Sequence, residues 1–191
     1  MPTLKGSQTE KNLLAAFAGE SQARNRYTFA ASVARKEGYE QIAAIFTETA
    51  DNEKEHAQVF WKHLEGGELE ITAAYPAGGT GDTLANLQMA AEGEKMEWGT
   101  LYPDFAQTAK DEGFGAVFVA FDQIAKVEAY HERRYNILAA RVANNEVFSR
   151  PEPIKWRCRN CGYVAEGTAP PAVCPACQHA QAYYEPWAEN Y

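Results

Sequence analysis

The chain has 191 residues, a formal net charge of −8 and a hydrophobic fraction of 46%. These values are ordinary for a water-soluble globular protein, and the acidic balance without any basic stretch excludes a nucleic-acid partner. The opening residues lack the apolar core of a signal peptide, and no apolar run is long enough to span a membrane, so we predict a cytoplasmic protein without membrane contact.

Four long helices are predicted before residue 146. The first is predicted to begin at a capping box, Ser7–Glu10, and to end near Gly38, and the second to run to Gly66–Gly67. The third is predicted to begin at Asp82 or Thr83 and to end near Gly113, and the fourth to run to about Asn144 or Asn145. The glycine-rich connection between the second and third helices is too long for a tight turn. Two helical hairpins joined by one long crossover describe a ferritin-like four-helix bundle.

A proline-marked segment at 149–155 separates these helices from a short region that holds all four cysteines. We therefore predict a mainly α protein of two domains. The first is the four-helix bundle over residues 1–148, and the second is a small metal-binding domain over residues 149–191.

The bundle contains an internal repeat. Residues 37–56 align without a gap on residues 112–131, and both segments begin with Glu-Gly-aromatic and end with Glu-x-x-His. Each copy also has a glutamate at a similar distance upstream, since Glu20 precedes Glu53 by 33 residues and Glu94 precedes Glu128 by 34. This repetition indicates a duplicated helical hairpin.

Seven ionisable side chains fall on the apolar faces of the predicted helices: Glu20, Glu53, His56, Glu94, Glu97, Glu128 and His131. The third helix, for example, has an inner stripe of Leu87, Ala91, Trp98 and Leu101 that includes Glu94 and has Glu97 at its edge. A small rotation of one helix could return one glutamate to water, but no such rotation accounts for five glutamates on four helices.

Burying five carboxylates costs several kcal/mol each unless they are paired, which in total exceeds a typical folding stability of about 5–15 kcal/mol. The cationic side chains near these stripes, chiefly Arg24, are too few to offset the charge. Two divalent metal ions can do so. In Glu-x-x-His both side chains lie one turn apart on one helix face, and mixed carboxylate and imidazole ligands suit iron or manganese.

The cysteines have the spacing Cys158-x2-Cys161-x12-Cys174-x2-Cys177. Their clustering favours a metal site over disulfides, and four thiolates can hold one tetrahedral ion. On spacing alone, a structural zinc ribbon and a redox iron centre are both compatible, and zinc is the commoner occupant.

In this combination the chain resembles the rubrerythrin family, in which a ferritin-like di-iron domain precedes a rubredoxin-like domain with one iron. The motifs that carry the resemblance are Glu20, "EKEH" at 53–56, "GEKMEW" at 93–98, "EAYH" at 128–131, and the cysteine pairs in "WRCRNCGYVAEG" and "CPACQHA". The resemblance implies three iron atoms per chain, for which zinc or manganese can substitute.

The resemblance also implies a role for each donor in the bundle. Glu53 and Glu128 would bridge the two irons. Glu20 would be a terminal ligand of one iron, and Glu94 and His131 would be terminal ligands of the other.

Four residues are implied to take part in catalysis. Glu97 and His56 would alternate on the first iron with redox state, and Tyr27 and Tyr102 would donate hydrogen bonds. Oxidation adds positive charge to the metal pair, which favours a carboxylate over a neutral imidazole. We therefore predict that Glu97 coordinates in the oxidised protein and that His56 replaces it in the reduced protein.

The activity implied by the resemblance is reduction of hydrogen peroxide to water. Electrons would come from a rubredoxin or an NAD(P)H-dependent reductase through the Fe(Cys)4 centre, in a head-to-tail homodimer. One alternative is a ferroxidase that uses oxygen, although a storage protein would not need a thiolate redox centre. A second alternative is a non-catalytic bundle with a structural zinc ribbon, which requires the inward glutamates to be accidental.

Overall fold

The computed structural model describes residues 2–190 and contains a bundle of four helical rods. The helices are α1 Gln8–Lys36, α2 Glu40–His63, α3 Thr83–Met96, α4 Tyr102–Asp111 and α5 Gly115–Ala143, and a π-helical segment, Glu97–Leu101, joins α3 to α4. Helix α1 packs along α2, and α5 packs along the rod formed by α3, the π segment and α4. The predicted ferritin-like bundle is confirmed. None of the helices in the described part of the chain is long and apolar enough to cross a bilayer.

Local hydrogen bonds explain where two of the helices begin. The Ser7 side chain accepts a hydrogen bond from the Glu10 backbone N–H (3.0 Å), and the Glu10 carboxylate accepts one from the Gly6 N–H (2.7 Å). At the start of α3, the Asp82 carboxylate accepts a hydrogen bond from the Ala85 N–H (2.8 Å). These caps satisfy N–H groups that have no partner within the helix, so both predicted starts are confirmed.

The predicted end of the second helix is wrong by about one turn. Helix α2 ends at His63 because Leu64 adopts an extended backbone conformation (φ −74°, ψ 141°) before the glycine pair Gly66–Gly67 is reached. The chain then runs without a helix or strand to Asp82, as one long crossover to the start of α3.

The third rod also differs from the prediction of one continuous helix. Its π segment adds a residue to one turn, so side chains beyond it rotate around the rod. Trp98, predicted to face inward, is 37% exposed, whereas Tyr102 is 1% exposed. Pro103 is the sequence signal for this change, because it has no N–H to donate and its ring crowds the carbonyl of Gly99 four residues earlier.

The bundle has two apolar clusters with a polar layer between them. On α1, Ala16 belongs to one cluster and Ala23 to the other, and Glu20 lies between them. On α5, Ile124 and Tyr135 belong to different clusters in the same way. Large apolar side chains therefore close off both ends of the layer that contains the carboxylates.

The C-terminal region forms a small three-stranded antiparallel sheet with its own core. Its strands are β1 Ile154–Cys158, β2 Val164–Gly167 and β3 Tyr184–Pro186, in the order β2-β1-β3. Trp156, Tyr184 and two cysteines form its buried core. Strand β3 and the 3₁₀ turn directly before it, Gln181–Tyr183, contact α2. The domain boundary after residue 148 stays a prediction.

Candidate metal centres

His56 faces three carboxylates in the polar layer. Its Nδ1 atom lies 2.8 Å from a Glu128 oxygen, 2.9 Å from a Glu53 oxygen and 3.8 Å from a Glu20 oxygen. These side chains come from α1, α2 and α5, so three rods converge on one point.

His131 has the corresponding position on the other side. Its Nδ1 atom lies 2.8 Å from Glu128, 3.3 Å from Glu53 and 3.8 Å from Glu94. The structure thus contains two groups of four donors, each with its ligand atoms within 4.8 Å of one another: Glu20, Glu53, His56 and Glu128 in one, and Glu53, Glu94, Glu128 and His131 in the other. Glu53 and Glu128 belong to both groups, which is the position that a ligand bridging two ions would need.

The donor atoms fit a pair of metal ions. All four glutamates of these groups are at most 1% exposed. Among the described residues, several buried atoms of the two groups form no hydrogen bond of acceptable angle, in spite of the short distances above: Glu20 Oε2, Glu53 Oε1, Glu94 Oε2, both Glu128 oxygens and His131 Nδ1. Buried polar atoms are rarely left unpaired, so this concentration at one place indicates an external partner with positive charge.

In the absence of metal, several groups in this layer have raised pKa values. Burial would lower the pKa of His56, but its contacts with Glu128 and Glu53 outweigh burial and raise that pKa to about 10. The same balance, with Glu128 first among the carboxylates, raises the pKa of His131 to about 12. Burial also raises the pKa of Glu94 to about 8, although contact with His131 partly opposes it.

We expect the metal-free protein to lose stability as pH rises from about 5 to 10. A group whose pKa is higher in the folded than in the unfolded state contributes stability that is lost as pH rises through the interval between the two values. For Glu94 the interval runs from 4.5 to about 8, and for His56 from 6.5 to about 10. Thermal unfolding of chelator-treated protein at several pH values measures this effect.

The metal-loaded protein serves as the comparison. Metal ions need deprotonated ligands, so metal binding strengthens with pH and should remove or reverse the decline. A rise in the melting temperature of the metal-free protein between pH 5 and 9 would contradict the assignment of these groups to one buried cluster.

Two buried tyrosines orient the carboxylates of Glu94 and Glu20. The Tyr27 hydroxyl donates to Glu94 Oε1, and the Tyr102 hydroxyl donates to Glu20 Oε1, each at 2.5 Å. Burial, followed by the nearby carboxylates, raises the pKa of both hydroxyls well above the usual value. Both therefore keep their protons at neutral pH and act as donors.

Glu97 lies outside both donor groups. It is 9% exposed and occupies the first residue of the π segment, one turn after Glu94. His56, not Glu97, completes the group that contains Glu20. This is the arrangement that we predict for the reduced protein, and the exchange itself stays a prediction.

The arginine that acts on the Glu97 carboxylate is Arg26, whereas the sequence pattern had pointed to Arg24. Arg24 is exposed, whereas Arg26, two residues further on, is partly buried. Burial and neighbouring carboxylates raise the pKa of Glu97, and the Arg26 guanidinium partly opposes that rise. The helical pattern alone did not single out Arg26, because this residue lies beside the inner stripe and not on it.

The four cysteines converge in the small C-terminal domain. Their Sγ atoms lie within 4.8 Å of one another, with 3.8 Å between Cys158 and Cys177 and 3.7 Å between Cys161 and Cys174. A hydrogen bond from the His179 backbone N–H lowers the pKa of Cys177 to about 6. Backbone donors of this kind stabilise thiolates, which are the form that binds metal.

Comparisons with known proteins indicate one family along most of the chain. The family description "Rubrerythrin" matches residues 11–139, and "Rubrerythrin, rubredoxin-like domain" matches residues 156–185. The chain is 62% identical to a rubrerythrin of Porphyromonas gingivalis, covering 99% of this chain and 94% of that protein. It is 53% identical to a rubrerythrin of Nitratidesulfovibrio vulgaris, covering 97% of each. A structure of fully reduced, all-ferrous nigerythrin has a TM-score of 0.63 at 29% identity, covering 97% of this chain and 92% of that chain.

The fold and the donor groups define a class: ferritin-like iron proteins with a carboxylate- and histidine-ligated di-iron site and an appended four-cysteine site. Within that class, the chain belongs to the rubrerythrin family. The two sites together account for three iron atoms per chain. The family consists of iron oxidoreductases with di-iron and rubredoxin-like domains.

Proposed function

We propose that the protein reduces hydrogen peroxide to water at the bundle site, as part of a defence against oxidative stress. The observation that carries this proposal is the presence, in one chain, of a buried two-ion donor cluster and a tetrathiolate site suited to one-electron transfer. A ferroxidase needs the first of these sites but not the second. When bound, the iron pair supplies the two electrons that cleave the O–O bond.

The proposed ligands follow the two donor groups. Glu53 and Glu128 would bridge the ions, because each contributes atoms to both groups. Glu20 would be terminal on one ion, together with either His56 or Glu97 according to redox state. Glu94 and His131 would be terminal on the other ion.

The proposed roles of Tyr27 and Tyr102 concern proton placement. Each hydroxyl holds a proton 2.5 Å from a terminal carboxylate, Glu94 and Glu20 respectively. Reduction of one peroxide consumes two protons and two electrons. The tyrosines keep the carboxylates oriented and hold protons beside the reacting centre, where water is excluded by the apolar clusters on either side.

The position of the sheet domain, far from the bundle site along α2, supports a head-to-tail homodimer. The sheet domain contacts α2, and a Cβ placed on Gly38 would lie 3.7 Å from the Ala182 methyl group, so the domain lies at the start of that helix. Glu53 is 15 residues beyond Gly38, a rise of about 22 Å at ~1.5 Å per residue. Electron transfer falls steeply with distance. We therefore propose that the tetrathiolate centre of a second copy donates to the bundle site.

The proposed upstream donor is a rubredoxin or an NAD(P)H-dependent reductase. Cys161 is exposed, whereas Cys158 and Cys174 are buried, so one edge of the tetrathiolate site is accessible to a partner protein. We also propose a cytoplasmic location, since four cysteines that form no disulfide and serve as thiolate ligands suit a compartment that keeps thiols reduced.

The test compares oxidants on the anaerobically reduced protein. A ferric tetrathiolate centre is red and loses colour on reduction, so the return of colour reports electron withdrawal. We expect equimolar peroxide to restore the colour at least about tenfold faster than oxygen. A faster response to oxygen would support the ferroxidase instead, and a colourless protein that contains zinc would support the structural ribbon. Iron analysis of the same sample accompanies the measurement.

A further inference from the structure

The carboxylate of Glu97 has an unusual environment for a buried charge. It lies outside both donor groups and, among the residues that the structure describes, forms no ion pair within 4.0 Å. A carboxylate that leaves a metal ion without gaining a partner carries a substantial desolvation cost. A neighbouring cation would lower that cost.

Helical geometry places Arg26 on the side of α1 that faces the π segment. Gln8, Asn12 and Ala15 line a groove together with Leu101 and Phe105, which follow Glu97 in the third rod. Steps of three and four residues carry this stripe of α1 from Ala15 through Gly19 and Gln22 to Arg26. Arg26 therefore belongs to the face that is turned toward the rod bearing Glu97.

Arg24 belongs to the opposite face. Together with Ser21 it lines a groove whose other wall, on α2, includes Lys54 and Gln58. The two arginines are only two residues apart, but they face different neighbouring rods. This makes Arg24 a matched control for Arg26.

The Arg26 guanidinium is available for a partner. Its Nε and Nη1 atoms are buried without a hydrogen-bond partner among the described residues. Its central carbon lies 5.8 Å from the ring centroid of Tyr27, whose hydroxyl donates to Glu94, one turn from Glu97 in the third rod. Arg26 is thus at the level of the candidate metal site, with unused donors.

We propose that Arg26 is a positioning residue that receives the Glu97 carboxylate when it leaves the metal pair on reduction. The proposal rests on the proposed di-iron function and adds to it the residue that stabilises the displaced ligand. Because Arg26 favours Glu97 off the metal, it favours His56 on the metal. It therefore stabilises the reduced state relative to the oxidised state.

The experiment uses the iron-loaded full chain and needs no peroxide. Arg26→Gln, Arg26→Lys and Arg24→Gln are each crystallised after anaerobic reduction, and the midpoint potential of the di-iron site is measured in solution. In Arg26→Gln we expect Glu97 to remain on the metal, with a shift of roughly tenfold or more in the ratio of Glu97-bound to His56-bound site. The midpoint potential should fall. Arg26→Lys and Arg24→Gln should resemble the unsubstituted protein.

A second measurement needs no variant. In the present structure Arg26 and Glu97 form no ion pair, so the proposal requires this contact to form when iron is bound. In crystals of the iron-loaded, reduced, unsubstituted protein, the Arg26 guanidinium should lie within about 4 Å of the Glu97 carboxylate, the usual limit of an ion pair. In crystals of the oxidised protein it should not. Reduced crystals in which Arg26 points away from Glu97, or an Arg26→Gln protein with unchanged ligands and potential, would overturn the proposal. Neither result depends on peroxide turnover, so each is distinguishable from failure of the proposed activity.

Discussion

Replacing Glu53 by glutamine is expected to abolish peroxide reduction. Glu53 contributes to both donor groups, so its loss leaves each group with three members and removes a negative charge shared by both ions. Loss of an outer hydrogen-bonding partner of a metal site already costs roughly 10–100-fold in affinity or activity, and loss of a shared ligand should exceed that. Iron content per chain and the rate of peroxide consumption measure the effect.

The matched control is Glu55→Gln on the same helix. The Glu55 side chain is 63% exposed and, within residues 2–190, its one ion pair is with Lys54, at 3.8 Å. An exposed pair of this kind contributes about 0–1 kcal/mol, so the control should retain iron and activity. Full turnover and iron content in the Glu53 variant would refute the assignment of this residue as a bridge.

Replacing Cys174 by serine is expected to stop turnover driven by a reductase while leaving a single oxidation by peroxide intact. Cys174 is fully buried in the core of the small domain and supplies one of four converging sulfurs. Its loss should eliminate the red colour and lower steady-state turnover by about 100-fold or more. The bundle site, once chemically reduced, should still react with one equivalent of peroxide at the unsubstituted rate.

Mixing the two variants tests the path of the electrons. A mixed dimer has one chain with an intact tetrathiolate site and one with an intact bundle site. If electrons cross between subunits, mixing Glu53→Gln with Cys174→Ser should restore part of the turnover. If electrons stay within one chain, the mixture should be as inactive as its parents, which would refute the proposed head-to-tail arrangement.

The candidate site could be located from sequence because its donors repeat with helical spacing. The helical period places each Glu-x-x-His motif on the inner face of its helix, and the two motifs occupy matching positions in the repeat, which predicts that they lie in one layer. Burial of Glu20, Glu94 and both histidines agrees with this prediction. The cysteine spacing was equally informative, because two short loops suffice to bring four sulfurs together.

The parts that could not be predicted depend on departures from the ideal helix. The π segment rotates Trp98 outward and Tyr102 inward, and no calculation at 100° per residue includes such a change. Pro103 was a visible signal, although proline in a helix predicts a kink as readily as a π turn. Arg26 was missed because which side of α1 faces the third rod depends on how the helices pack.

The duplicated hairpin has a consequence for the symmetry of the metal pair. Each half supplies one glutamate and one Glu-x-x-His, so an approximate twofold axis runs between the two ion positions and would make them interchangeable. Glu97, three residues after Glu94, breaks that equivalence, because its counterpart three residues after Glu20 is Ala23, which has no donor atom. If Glu97 binds the metal pair in the oxidised protein, as we propose, this single side chain makes the two ion positions inequivalent. A change of oxidation state would then remodel one end of the cluster while the other end keeps its ligands.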